Sequence, residues 1–299
     1  MRAWLPPVVF SLVLASIAVA AEPTKPAEPL DRIVSVGGAI TEIVNQLDLG
    51  DRLVAVDSTS QFPTAMRALP QVGYMRALSA EGVVATRPDL VLVSDNAGPP
   101  PVIEQIRSLG IPTRMVPDRP TVEGVVEKVR AVGAALGRER EAEAMAQRIT
   151  GDLTAVGSIV ASIQDKPRVL FLMGLGRGAP TAAGRNTAAD AMITLAGGVN
   201  AIDGYEGYKP ASGEAILTAA PDVLLLPADA VDSAGGRDAI LRMPQFAGTP
   251  AAMNGRLVAM DTLYLLGFGP RLPDAIADLA RALHPDHAGD FPKPAAERS

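Results

Sequence analysis

The feature that most limits how this chain can fold is an internal echo. "EGVVATRPDLVLV" (81–93) and "EAILTAAPDVLLL" (214–226) both run from a glutamate through six residues to Pro-Asp and then into an apolar strand. Upstream, "GYMRALSAE" (73–81) aligns with "GYKPASGE" (207–214), one residue shorter. Thr41 and Thr187 each lie near the start of a helix that follows the first strand of its half. A βαβ preference alone can set Pro-Asp before a strand. Agreement at Gly-Tyr and at Glu as well makes this a repeat of a whole lobe rather than a short-period solenoid.

Within each half, short apolar runs alternate with helical patterns. In the first, 32–36, 52–57, 88–94 and 112–117 read as strands. "AITEIVNQLDLG" places Ile40, Ile43, Val44 and Leu47 on one helix face and closes at Gly50. "PVIEQIRSLG" (101–110) is a second helix. In the second half, 168–173, 221–227 and 256–261 read as strands, and a helix through "PDAIADLARALHP" closes the fold. Between the halves, 121–164 carries helical periodicity without proline, either as one long helix or as two with a break near Gly137. Strands alternating with helices imply mostly parallel sheets. The expected fold is α/β: two Rossmann-like lobes, 31–117 and 166–289, a connecting helix over 118–165, and a ligand cleft between the lobes. In such sheets ligands sit outside the carboxyl ends of the strands.

The first residues carry a different signal. Arg2, an apolar run from Leu5 to Val19 and the small-x-small triplet Ala18-Val19-Ala20 read as a secretory signal peptide over 1–20. The run is too short for a confident membrane span, which needs about 20 residues. The Pro- and Glu-rich 21–30 reads as a flexible arm, and 290–299 as a polar tail. The chain has no cysteine to carry a lipid anchor at the cleavage site, so a soluble, exported, periplasmic protein is expected. A chain of this size buries a core without disulfides. Net charge is −6 and no basic cluster is present, which argues against nucleic-acid binding.

Catalytic signatures are thin. His284 and His287 are the only histidines, lie next to the polar tail and read as surface residues. There is no G-x-S-x-G elbow. "GLGRG" (174–178) is neither a dinucleotide fingerprint nor a P-loop. Zinc ligands are scarce. No enzyme is expected.

Tyr74 stands out because aromatic residues are scarce and its loop belongs at the cleft mouth. Arg76 is two residues on, and in an extended segment i and i+2 point the same way. A phenol has a pKa near ~10, and a nearby cation favours the phenolate. A phenolate is a hard anionic oxygen suited to ferric iron, and tyrosine ligation of haem is known chemistry. Met75 lies between the two and counts with the same binding segment. "GYEGYKP" supplies Tyr205, Tyr208 and Lys209 for stacking on a flat ligand. "GRNTAAD" sets Arg185, Asn186 and Thr187 at a helix start, with Thr187 and Asp190 matching a capping box. Arg177 and Arg185 are candidates for carboxylate contacts. Glu81 and Glu214 hold matched positions in the repeat and fit a pair of docking charges for basic pockets on a membrane partner.

Together "GYMRALSAEG", "PTAAGRNTAADAMITLAGG", "GYEGYKP" and "LLGFGPRLPDA" resemble the periplasmic haem-binding proteins of bacterial haem ABC importers, from about Arg32 to His284. The Pro-Asp strands are shared more widely with cobalamin and siderophore binders, so a cobalamin or ferric-siderophore ligand is the alternative. The resemblance implies two lobes on a long helix and ferric haem b in the cleft. It implies Tyr74 as axial iron ligand, with Arg76 bonded to its phenolate, and Glu81 and Glu214 docking onto arginines of a permease dimer that works with an ATPase. Some members add a cleft histidine from the second lobe; this chain's two histidines, His284 and His287, are far in sequence from every loop that should line the cleft. One five-coordinate haem on a monomeric carrier is therefore the expectation.

Overall fold

A computed structural model describes Met1, residues 30–175 and residues 178–292. The expected signal peptide and arm lie almost wholly outside the described residues, as do Arg177 and the tail from 293. In chain order the first half contains β1 (Ile33–Val36), α1 (Gly38–Gln46), β2 (Leu53–Val56), a hairpin of β3 (Gly73–Tyr74) and β4 (Ala77–Leu78), α2 (Ala80–Ala85), β5 (Leu90–Ser94), α3 (Pro100–Ser108) and β6 (Thr113–Val116). Two helices follow, α4 (Val122–Leu136) and α5 (Glu139–Ser162). The second half contains β7 (Arg168–Phe171), β8 (Thr181–Ala183), α6 (Ala188–Leu195), β9 (Val199–Asn200), β10 (Tyr208–Pro210), α7 (Gly213–Ala219) and β11 (Val223–Pro227). It ends with α8 (Ala228–Ser233), α9 (Arg237–Leu241), α10 (Pro250–Met253), β12 (Leu257–Met260), α11 (Thr262–Leu266) and α12 (Leu272–Leu283).

The two halves build the same sheet. One runs β2-β1-β5-β6 and the other β12-β11-β7-β9, with every pair parallel. With strands counted in chain order within each half, both sheets read 2-1-3-4. The order reverses between the first and third strands, which opens a crevice at their carboxyl ends.

Hydrogen bonding explains why Pro-Asp recurs. The Asp89 carboxylate accepts the backbone N–H groups of Asp31 and Arg32, at 3.1 and 3.0 Å, just before β1. Asp222 accepts the N–H of Arg168 at 2.8 Å, at the start of β7. The two arginines complete the splice from the other side. Arg32 donates to the carbonyls of Arg87 and Thr86, and Arg168 to that of Ala219, satisfying the end of the preceding helix. Arg87 and Ala220, which precede the two prolines, both take a left-handed backbone with φ 48° and 44°.

The proline-free stretch forms two helices rather than one, broken where Gly137 adopts φ 64°. Arg130 and Glu143 form an ion pair at 2.7 Å across the break. On one straight helix they would be about 20 Å apart, so the chain doubles back and only α5 travels between the lobes. The largest of three apolar clusters among the described residues runs from Ile33 and Ile43 through Val129, Met145 and Ile149 to Met192 and Leu279. Each such buried side chain contributes about 1.5–3 kcal/mol, and this core fuses the lobes along their length. Of the two histidines, His284 is buried rather than on the surface, with a ring nitrogen 3.1 Å from the Ala196 carbonyl oxygen.

Candidate functional site

Between the lobes lies a cleft of ≈ 850 Å³, bounded by the turn after β1 (Gly37, Gly38), the β3–β4 hairpin, the start of α6 and the loops after β11 and β12. Its size falls in the range of small-molecule sites, roughly 300–1,000 Å³. It occupies the crevice that the strand order dictates.

The hairpin places the first candidates. Tyr74 pairs with Ala77, so Met75 and Arg76 are the two corner residues of a tight turn. Arg76 therefore does not share a strand face with Tyr74, as an extended segment would require. Its guanidinium instead folds back, and Nη1 donates to the Tyr74 hydroxyl oxygen at 3.5 Å, the long end of hydrogen bonding. Tyr74, Met75 and Arg76 all line the cleft, and the Tyr74 residue is 44% exposed. Gly73 makes the entry possible: its φ of 103° suits glycine, and a Cβ there would stand 2.9 Å from the Ala77 carbonyl oxygen. The hairpin is anchored to the sheet. Ser58 N–H donates to Gly73 O, Gly98 N–H to Met75 O, and Leu78 N–H to Gly98 O, at 2.9, 2.8 and 3.0 Å.

The second lobe contributes Tyr208 from β10, packed edge-on to Phe171 with ring centroids 6.4 Å apart. Burial pushes its phenol up. The Ala189 backbone and Thr187 side chain at the start of α6, together with the nearby Arg76 charge, pull it partly back. Arg76 thus acts on both tyrosines. Thr187 caps α6 by accepting from Asp190 N–H at 3.1 Å. Asp190 reaches back to Asn186 N–H at 3.0 Å rather than to the cap itself.

Tyr205, also predicted for stacking, does not line this cleft. Its hydroxyl donates to the Ala182 carbonyl at 3.2 Å, its ring lies against Gly184, and Lys209 sits 5.0 Å above that ring. Arg185 borders a separate groove of ≈ 480 Å³ with Lys166 and Asp203, and pairs loosely with Glu206 at 3.9 Å. Arg67, which no sequence motif marks, lines the cleft instead. It sits in a one-turn 3₁₀ helix (Thr64–Ala68) and is steadied by donating to Gln61 O at 3.1 Å. No periodicity marks such a turn. Glu81 and Glu214 are exposed, each in the first turn of a helix whose N-cap serine, Ser79 or Ser212, accepts the third helical N–H. Neither borders the cleft. Among the described residues no His, Cys, Asp or Glu group could hold a bare metal ion.

Similarity to known proteins follows the same geometry. A periplasmic heme-binding protein from Roseiflexus sp. RS-1, RhuT, is 41% identical with a TM-score of 0.82, over 85% of this chain and 98% of that one. The periplasmic heme-binding protein BhuT, solved in complex with two hemes, is 42% identical with a TM-score of 0.80, over 84% of this chain and 97% of that one. A cobalamin-binding protein of Halobacterium salinarum is 29% identical over 87% of this chain and 71% of its own length. The family model described as periplasmic binding protein matches residues 33–263. The chain belongs to the periplasmic binding protein family.

Proposed function

We propose that this protein is the periplasmic haem-binding subunit of an ABC importer. It captures one ferric haem b between its lobes and hands it to an inner-membrane permease driven by its ATPase. The observation that carries the reading is the Tyr74–Arg76 pair on the cleft-lining hairpin. Cobalamin and ferric siderophores bring their own metal coordination and need no protein phenolate; an iron porphyrin with an open axial position can take one as its ligand.

The haem would lie flat in the cleft, with Tyr74 as its axial ligand and Arg76 donating to the same oxygen. Met75, Leu263 and Leu266 offer apolar contact for the porphyrin, and Tyr208 an aromatic face. The propionates need cationic donors. Arg67 lines the cleft and suits that task better than Arg185, which lies in another groove. Glu81 and Glu214, one on each lobe, would meet basic residues of the permease, and a monomeric carrier suffices for that geometry. The resemblance to RhuT and BhuT supports this ligand over the cobalamin or ferric-siderophore alternative.

A second reading is favoured by Tyr208. It is the repeat mate of Tyr74 and lines the same cleft from the other lobe, so a second haem stacked on the first would find a phenol there. BhuT, with two hemes, is the precedent. The test of the ligand is calorimetric titration of the purified protein with hemin, a cobalamin and a ferric siderophore. Hemin should bind most tightly, and a preference for either of the others would reject the proposal.

A further inference from the structure

Lys128 on α4 is fully buried, beside the buried valines Val125, Val129 and Val132. An ammonium taken out of water survives only when paired and hydrogen-bonded. All three of its donors are used: Asp118 Oδ1 at 2.6 Å, the Phe268 carbonyl at 2.9 Å and the Gly267 carbonyl at 3.2 Å. Asp118, Gly267 and Phe268 all border the ligand cleft, whereas Lys128 does not.

The gripped segment is strained. Phe268 holds φ 45°, a left-handed backbone for a bulky aromatic whose ring is buried. Such a conformation persists only where its surroundings over-determine it. With both carbonyls drawn toward α4, this stretch of the cleft border turns backbone polar groups away from the ligand side, next to the apolar Leu263 and Leu266. A second tie holds the same segment: Arg271 grips the buried Glu42 of α1 with two bonds of 2.8 and 2.6 Å. The wall formed after β12 is thus fixed by Lys128 of α4 and Glu42 of the first half, both more than a hundred residues earlier in the chain.

We infer that Lys128 is a positioning residue for the ligand cleft. It never touches the ligand, and it sets the Gly267–Phe268 wall against which a flat apolar ligand packs. The inference rests on the haem reading for its ligand but not for its mechanics.

Lys128→Met is followed by hydrogen exchange over residues 262–270 in the ligand-free protein and by hemin titration. Faster exchange in that segment is expected, with hemin affinity lowered about tenfold, the size of effect that supporting groups have on metal sites. The ferric tyrosinate bands should not change, because Tyr74 is untouched. Unchanged exchange, or faster exchange with wild-type affinity, would overturn the inference. Should Lys128→Met not fold, the charge-balanced Lys128→Met/Asp118→Asn double variant carries both readouts, compared with Asp118→Asn alone. If the two bind hemin equally, the inference falls. If the wild-type protein takes up no hemin, the haem reading fails, and the exchange measurement still decides whether Lys128 holds the wall.

Discussion

Tyr74 and Tyr208 occupy the same position in the two lobes. Each follows a glycine with a left-handed backbone, φ 103° at Gly73 and 78° at Gly207, and both side chains line one cleft. The equivalence stops one step further on. Arg76 completes the Tyr74 hairpin, while the matching position after Tyr208 is Pro210, and only Arg76 from the first lobe lends Tyr208 a positive charge. On the haem reading proposed above, this difference at the cation favours Tyr74 over Tyr208 as the iron ligand.

Tyr208→Phe should therefore leave one equivalent of hemin bound with the tyrosinate spectrum intact. Spectrophotometric titration to saturation checks this. A wild-type endpoint of two equivalents that falls to one in Tyr208→Phe would replace the one-haem reading with the two-haem one.

Arg76→Ala should weaken hemin binding by roughly 10- to 150-fold, since a charge-assisted bond to an anionic oxygen contributes ~1.5–3 kcal/mol. Arg76→Lys should recover part of the loss. Competition titration against a haem scavenger measures it, and wild-type affinity in Arg76→Ala would remove the arginine from the site.

The Glu42–Arg271 pair makes a stability prediction. Burial pushes the Glu42 carboxyl up and the Arg271 fork pulls it back, so the charge is tolerated only while paired. Arg271 also packs 3.8 Å from the Phe62 ring centroid. Removing one partner of a buried pair leaves the other uncompensated, and Arg271→Ala should cost about 3 kcal/mol in urea denaturation.

His284 makes a pH prediction. Burial holds its imidazole below the ordinary value of 6.5, against the Ala196 carbonyl, which favours the charged form. The unfolded chain then binds the extra proton first, so stability falls as pH drops below about 6.5 and rises again toward neutrality. His284→Gln should flatten that part of the stability–pH curve, as followed by thermal unfolding in a buffer series.

Much of this was legible in the sequence because the repeat has a physical cause. Asp89 and Asp222 are acceptors for the first strand of each lobe, and Arg32 and Arg168 finish the preceding helix, so the pattern survives as Pro-Asp. Sequence leaves one connecting helix or two with a break near Gly137, and the left-handed Gly137 makes it two. Sequence pattern makes the hairpin around Tyr74 look like a loop, because two-residue strands carry no periodicity. The burial of His284 and Lys128 was hidden as well. Residue type predicts exposure for both, and only partners distant in sequence, Ala196 for one and Gly267 and Phe268 for the other, make burial tolerable. Arg67 reached the cleft through a turn without a pattern, while Arg185 had a clear motif that leads to another groove.

The most direct test of the account is the ferric absorption spectrum of the protein loaded with hemin, wild type beside Tyr74→Phe, with folding of both checked by circular dichroism. The account predicts tyrosinate charge-transfer bands in the wild type, their loss in Tyr74→Phe and a large drop in affinity. A folded Tyr74→Phe protein that binds hemin with the wild-type spectrum and affinity would contradict it.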